Sequence, residues 1–312
     1  MTINRGSISK QLIPGLNKVF GGAYGKIDNQ HEVLFDTEKS NRSFEEEVMF
    51  TGLGTAPEKF EGQSIFYDDM RETYTATYTH ITIALGFAIT EEAVEDNLYA
   101  EVSRRKAKAL GRAMATTKQV RAADVFNNGF SSSQVGGDGV ALFSASHPTL
   151  VGNQSNLPSS PVDLSETALE QAVIDIANYK DERGILINAM PVSLHIPSAL
   201  RFVAHRILKS DLSTTALTNV AGTENVSNSN NINALKSLGL FQRGLHMNNR
   251  FSDADAWFIR TNVEDGTKHF ERVALKSGDE GDFDTGNYRY KARERYSFGW
   301  SDWRQWYGTA GA

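Results

Sequence analysis

The chain has no cysteine and only seven prolines in 312 residues. Missing thiols exclude disulfides, thiolate nucleophiles and cysteine-held metals, and they fit a protein made in a reducing compartment. No stretch approaches the roughly 18 consecutive apolar residues of a membrane helix. The opening MTINRGSISKQLIPGLNKVFGGAYG also lacks the apolar run of a signal peptide. A soluble protein is expected, made and kept inside a cell or released by a route other than secretion. A basic excess is missing too. Lys and Arg number 32 against 38 Asp and Glu, and the net charge of −6 argues against a general nucleic-acid binder, leaving only local basic strips.

Catalytic motifs are equally scarce. No G-x-x-x-x-G-K-[ST] occurs, and Gly52 and Gly54 lack the third glycine and the strand–helix setting of a dinucleotide site. The seven histidines include no H-x-x-x-H pair, so His195 and His205 read as ordinary strand and helix residues. GDEGDFDTG, with Asp282, Asp284 and Gly286, fails as a calcium loop because Asn287 and Arg293 stand where glycine and glutamate are required. It reads as a solvated turn. Ser144, Ser146 and His147 with Asp138 nearby are too close in sequence to converge on one reacting atom, and Ser7 to Lys10 fits S-x-x-K without its partner motifs. The Asn-x-Ser sites at Asn41, Asn153 and Asn225 carry no weight without a secretory signal. No catalytic residue, cofactor or metal is expected.

What is present is a folded composition, 40% hydrophobic and 22% charged, enough for one large domain or two ordinary ones. Residues 1–43 are polar and glycine-dotted, with scattered anchors Leu12, Ile13, Leu16, Val19 and Phe20, and read as an arm unable to bury much alone. From Phe44 to Leu85 the pattern is extended. FEEEVMF, SIFYDDM and TYTATYTHITIAL predict a long β-hairpin with its tip near residues 52–63, and one largely threonine face. Thr90, as N-cap before Glu91 and Glu92, predicts a helix over 90–127, about 55 Å long and interrupted only by Gly111.

Residues 129–162 read as loops. A second helix is expected after Ser165 or Asp163, ended by Gly184; VSLHI reads as a strand, and Pro197 opens a third helix through Leu200, Val203 and Ile207. The Ser/Thr/Asn-rich stretch 210–233 reads as a mobile loop, followed by strand-like LGLF, AWFIRT and HFERVAL. In NYRYKARERYSFGW, Tyr288, Tyr290, Ala292, Tyr296, Phe298 and Trp300 alternate with Arg289, Lys291, Arg293 and Arg295, with Glu294 the lone exception on the inner face. The terminal aromatics, Trp303 and Trp306 included, therefore read as core and not as a ligand platform.

The order of these elements, and the blocks IALGFAITEEAVEDNLY, VFNNGF, DGVALFSASHP, LSETALEQA, DERG, HIPSALRFVAHRIL and ERYSFGWSDWRQWYG, resemble the major capsid proteins of tailed bacteriophages. The blocks are similar to the Mu-type major head subunit group, over roughly residues 75–308. The resemblance implies an α+β fold of the Hong Kong 97 type. Its parts would be an N-terminal arm (1–43), an extended loop (44–85), a peripheral domain (86–160) with the spine helix, an axial domain (161–260), and C-terminal strands (261–312) returning to the peripheral domain. It implies hexamers and pentamers forming an icosahedral shell around packaged double-stranded DNA, assembled in the host bacterial cytoplasm, with no membrane.

A separate scaffolding protein is expected because Met1 leads almost directly into the arm; a portal is expected, and a decoration protein is an open partner. No covalent crosslink is expected. Glu45, Glu46 and Glu47 on the hairpin, Gly54, Pro57 and Lys59 at its tip, and the basic face Arg289, Lys291, Arg293 and Arg295 are the expected contact residues between subunits, with two solvated faces as the competing reading. The alternatives are an encapsulin-like nanocompartment shell, which gene neighbourhood would separate, a tail or decoration protein, and a hydrolytic enzyme, which lacks a convergent polar site.

Overall fold

The structure, a computed structural model, describes residues 5–90, 92, 99–212, 232–282 and 286–312, with backbone alone for 5–14 and 99–101. In chain order its first elements are α1 (Arg5–Tyr24), β1 (Asp36–Lys39), β2 (Phe44–Phe50), β3 (Glu72–Thr79), β4 (Ile81–Ile89) and α2 (Tyr99–Asn127). There follow β5 (His147–Thr149), β6 (Gly152–Gln154), α3 (Glu166–Ala177), β7 (Pro191–Ile196), α4 (Arg201–Lys209) and α5 (Ala234–Ser237). The last are β8 (Gly244–Met247), β9 (Trp257–Thr261), β10 (Thr267–Gly281), β11 (Tyr288–Trp300) and β12 (Trp306–Thr309).

The chain divides into two compact units. The first takes residues up to Glu45, Tyr78–Ala122 and His269–Phe298; the second takes Glu46–Thr77, Ala123–Lys268 and Gly299–Ala312.

In the first unit a sheet of order β1-β10-β11-β4 carries helices on one face. Leu16 and Phe20 of α1 and Ala107, Leu110 and Met114 of α2 share a core with Tyr290 and Ala292 of β11. The spine helix is the element the sequence predicts, but α1 is a correction. Residues 5–24 are helical, and Leu16, Phe20 and Ala23 are buried. Pro14-Gly15 and Gly21-Gly22 hide this helix from propensity, while burial against α2 outweighs their cost. Gly111 is explained by the same contact, since a Cβ there would stand 2.7 Å from the Phe20 carbonyl oxygen.

β11 alternates as its pattern predicts: Tyr290, Ala292, Glu294 and Tyr296 are buried while Arg289, Lys291 and Arg293 are exposed. The run TYTATYTHITIAL is not one strand. It breaks at His80, whose two ring nitrogens meet Ser297 (3.0 Å) and Ser40 (2.9 Å) within this unit. β4 beyond the break pairs antiparallel with β11.

The second unit has a sheet of order β12-β9-β7-β8, parallel only between β7 and β8. Its core is aromatic: Phe126 lies 4.6 Å from Trp306 and 5.4 Å from Phe258, and Phe143 stacks on Phe258 at 5.1 Å. Trp303 and Trp306 are wholly buried, and the Trp306 indole donates to Thr267 Oγ1 at 3.0 Å. Trp303 and Trp306 are core, as expected of the terminal aromatics.

Ser165 caps α3, accepting the Ala168 N–H at 3.2 Å. Gly184 does not end that helix; it closes a separate turn at φ +84. Strands are absent from SIFYDDM and from LGLF, whose neighbour Gly244–Met247 is the strand instead. Residues 278–281 of the acidic turn belong to β10. The expected N-cap segment at 91 and 93–98, most of the expected loop 210–233, and Asp284 lie outside the described residues.

Candidate inter-subunit surfaces

β2 and β3 form a two-stranded ribbon. Its neck is closed by Thr51 N–H donating to the Arg71 carbonyl (2.9 Å) and Arg71 N–H donating to Thr51 Oγ1 (3.1 Å). Along β2 the side chains alternate, so Phe44, Glu46, Val48 and Phe50 are exposed and Glu45, Glu47 and Met49 are half-buried. Period two therefore splits the three expected glutamates. Within the first unit Glu45 accepts from Ser40 Oγ at 2.7 Å. Within the second, Glu47 pairs with Lys268 and accepts from Ser301 Oγ. Glu46 alone faces outward.

Between the strands, residues 51–71 form an irregular loop. Gly54 donates its N–H to Asp68 Oδ2 at 2.8 Å, while Pro57 and Lys59 are exposed. Phe60, Ile65, Phe66 and Tyr67 are 60%, 64%, 67% and 86% exposed. Such a concentration of exposed large side chains is uncommon on the surface of a monomer.

The basic face lies on β11. Arg289, Lys291, Arg293 and Arg295 are in register with Ala88, Gly86, Ala84 and Thr82 of β4, so the cations stand beside small side chains. A Cβ at Gly86 would meet the Tyr290 carbonyl oxygen at 2.8 Å. Arg289 pairs with Asp282, and the half-buried Arg295 leaves its Nε without a hydrogen-bond partner. The opposite face of β11 carries Glu294, which accepts from Tyr24 OH at 3.2 Å; burial raises its carboxyl above the usual range, against the pull of Lys118.

Of the residues weighed for catalysis, His147 and His195 are buried in hydrogen-bonded positions. His147 is fully buried, stacked on Trp303 at 4.3 Å, with Nδ1 on Asp138 (2.7 Å) and Nε2 on the Asn156 carbonyl oxygen (3.2 Å). The hydroxyls of Ser144 and Ser146 bond each other at 3.3 Å. His195 is buried against Ser193 (2.8 Å) and stacked on His246, and burial lowers its pKa. His205 lies on an open groove of about 970 Å³ beside α4, with no carboxylate among the described residues that line it. Among the described residues no three His, Asp or Glu side chains are placed to hold a metal, and no helix is long and apolar enough to cross a membrane.

The phage capsid protein family matches the chain over residues 73–308, more than half its length. The chain belongs to that family. As a phage capsid protein it is a structural component of the virion shell. The fold agrees and is of the Hong Kong 97 type. It is similar to that of a virus-like particle from Pyrococcus furiosus (10% identity, 95% of this chain and 98% of that one, TM-score 0.52). It is also similar to the procapsid of bacteriophage JBD30 (13%, 98% and 76%, 0.51) and to the capsid of an empty GTA particle (13%, 92% and 92%, 0.51). No curated protein matches the capsid protein in sequence.

Two features of these surfaces escaped the sequence. The alternation of FEEEVMF divides its glutamates between two faces, but only the partners Ser40, Lys268 and Ser301 show that Glu45 and Glu47 take the inner one. Arg183, which binds Asp68, lies in the DERG block and has no signal in sequence beyond its charge.

Proposed function

We propose that this protein is the major head subunit of a Mu-type phage. Hexamers and pentamers of it form an icosahedral shell around double-stranded DNA, assembled in the host cytoplasm on a separate scaffolding protein, with a portal at one vertex and room for a decoration protein. It acts as a building block and not as an enzyme. The observation that carries this reading is the loop 51–71, which holds Phe60, Ile65, Phe66 and Tyr67 in solvent. That exposure is costly for a lone chain and useful for one that docks on copies of itself.

In this reading the ribbon's outer face, with Glu46, and the tip residues Gly54, Pro57 and Lys59 lie on a neighbouring copy. The strip Arg289, Lys291, Arg293 and Arg295 receives acidic side chains from such a neighbour. Sedimentation and negative-stain microscopy of the purified protein, alone and with its scaffold, test this: capsomers or closed shells are expected. A chain that stays monomeric at every concentration, with and without scaffold, overturns it. An encapsulin-like shell is the second reading, favoured by the shared fold of the Pyrococcus particle. Shells isolated from the producing cell distinguish the two by their contents, DNA or cargo protein.

A further inference from the structure

The DERG turn is built without the side chain of its arginine. Asp181 Oδ1 accepts the N–H groups of Arg183 and Ile185, both at 2.8 Å. Buried Glu182 pairs with Arg304 Nη2 at 2.8 Å, and Arg304 Nε donates to the Lys180 carbonyl at 2.7 Å. Arg304 itself lies over the Trp303 ring, 4.4 Å from its centroid, so the turn is fastened to the core of its unit. The Arg183 guanidinium does none of this. Its two terminal nitrogens reach Asp68 Oδ2 and the Asp69 carbonyl, both at 2.5 Å. Asp68 Oδ2 also accepts the Gly54 N–H, so one carboxylate oxygen ties both limbs of the 51–71 loop to one fixed cation. The Gly54 N–H and then Arg183 hold that carboxyl below its usual pKa.

We propose that Arg183 is a latch. It holds the loop in a closed course on its own subunit, and release of the fork lets the apolar loop reach a neighbouring copy. This inference rests on the reading that the loop docks between copies. The fork geometry gives the latch direction, because two parallel donors fix the course of residues 68 and 69 as a lysine would not. Its exposure makes it releasable. The paired side chains are 23% and 30% exposed, so salt screens the pair and a carboxylate of another molecule competes for it. The anchor stays put, since Glu182 and Arg304 are 4% and 3% exposed.

Amide hydrogen exchange over residues 52–70 and the lag of assembly followed by light scattering test the latch in full-length wild type, Arg183→Ala and Arg183→Lys. The alanine variant should exchange about tenfold faster around residues 54 and 68–70. It should also show a lag several-fold shorter at low salt, with wild type approaching it as salt rises and lysine falling between. Unchanged exchange in Arg183→Ala overturns the latch. Faster exchange with an unchanged or longer lag overturns its role as a brake. Phe66→Ala/Tyr67→Ala separates the underlying reading: if that variant assembles like wild type, the loop does not dock between copies, whatever the exchange shows.

Discussion

Asn156 shows how much of the second unit hangs on one amide. Its side chain accepts from the Ser144 N–H (2.9 Å) and donates to the Leu142 and Trp306 carbonyls (2.7 and 3.2 Å), and it is wholly buried. Replacing it with alanine strands several buried groups, so Asn156→Ala should cost about 2–4 kcal/mol in chemical denaturation. Ser146→Ala, at the exposed position next to His147, should change stability by less than about 0.5 kcal/mol. That contrast would place the structural weight of this loop on Asn156 and not on the exposed serine.

In the first unit His31 and His269 meet at 5.4 Å, with Lys118, Glu32 and Glu271 around the same cavity. Burial, and then Lys118, lower their pKa values to about 4 and about 3 from 6.5. The unfolded chain therefore binds more protons between those values. The stability these rings contribute is fully present above about pH 6.5 and is lost as pH falls through about 4. His31→Phe should flatten that limb in urea melts run across the range. A slope that persists unchanged assigns the acid sensitivity to other groups. Glu294 acts with the opposite sign. Burial raises its carboxyl, so its ionised form costs stability above the unfolded value, and Glu294→Gln should stabilise at neutral pH with a gain that fades toward acid.

At the scale of elements, what could be read in advance followed from local periodicity. The two-residue alternation of NYRYKARERYSFGW placed Tyr290, Ala292, Glu294 and Tyr296 inward because one face of β11 is covered by helix, and the spine helix was legible because no proline interrupts it. What could not be read depended on partners distant in sequence. α1 was hidden because Pro14 and four glycines lower its intrinsic propensity, and only its packing on α2 outweighs them. Residues 64–70 read as strand because aromatic and β-branched residues favour strands, yet no ladder partner lies among the described residues.

The close approach of α1 gives the element-scale test. Gly111→Ala raises helix propensity by about 1 kcal/mol in isolation, but its methyl would collide with the Phe20 backbone and Ala23. The variant should therefore be less stable by about 1–3 kcal/mol, the range for overpacking. A more stable Gly111→Ala would mean that α1 does not sit where these contacts place it.

For the whole molecule the charges on the two surfaces decide which part of assembly is electrostatic. Reversing Glu45, Glu46 and Glu47 together would mix two effects, because Glu45 and Glu47 serve their own units through Ser40, Lys268 and Ser301. Glu46 is the clean probe. Its side chain faces out from the ribbon, so Glu46→Lys should leave the melting transition within about 0.5 kcal/mol of wild type. If the ribbon lies on the basic strip of a neighbour, Glu46→Lys should weaken assembly several-fold at low ionic strength. High salt should narrow the difference, since an exposed pair is screened within a Debye length of about 8 Å under physiological conditions. Combining it with Lys291→Glu or Arg293→Glu should restore assembly, because each restores opposite charges across the contact. Arg289 is a poorer choice, being paired with Asp282 already. Rescue by either strip variant would place Glu46 against that strip across the interface. Loss of assembly without rescue would give the ribbon a different partner face, and no effect of Glu46→Lys at any salt would leave both charged faces to solvent.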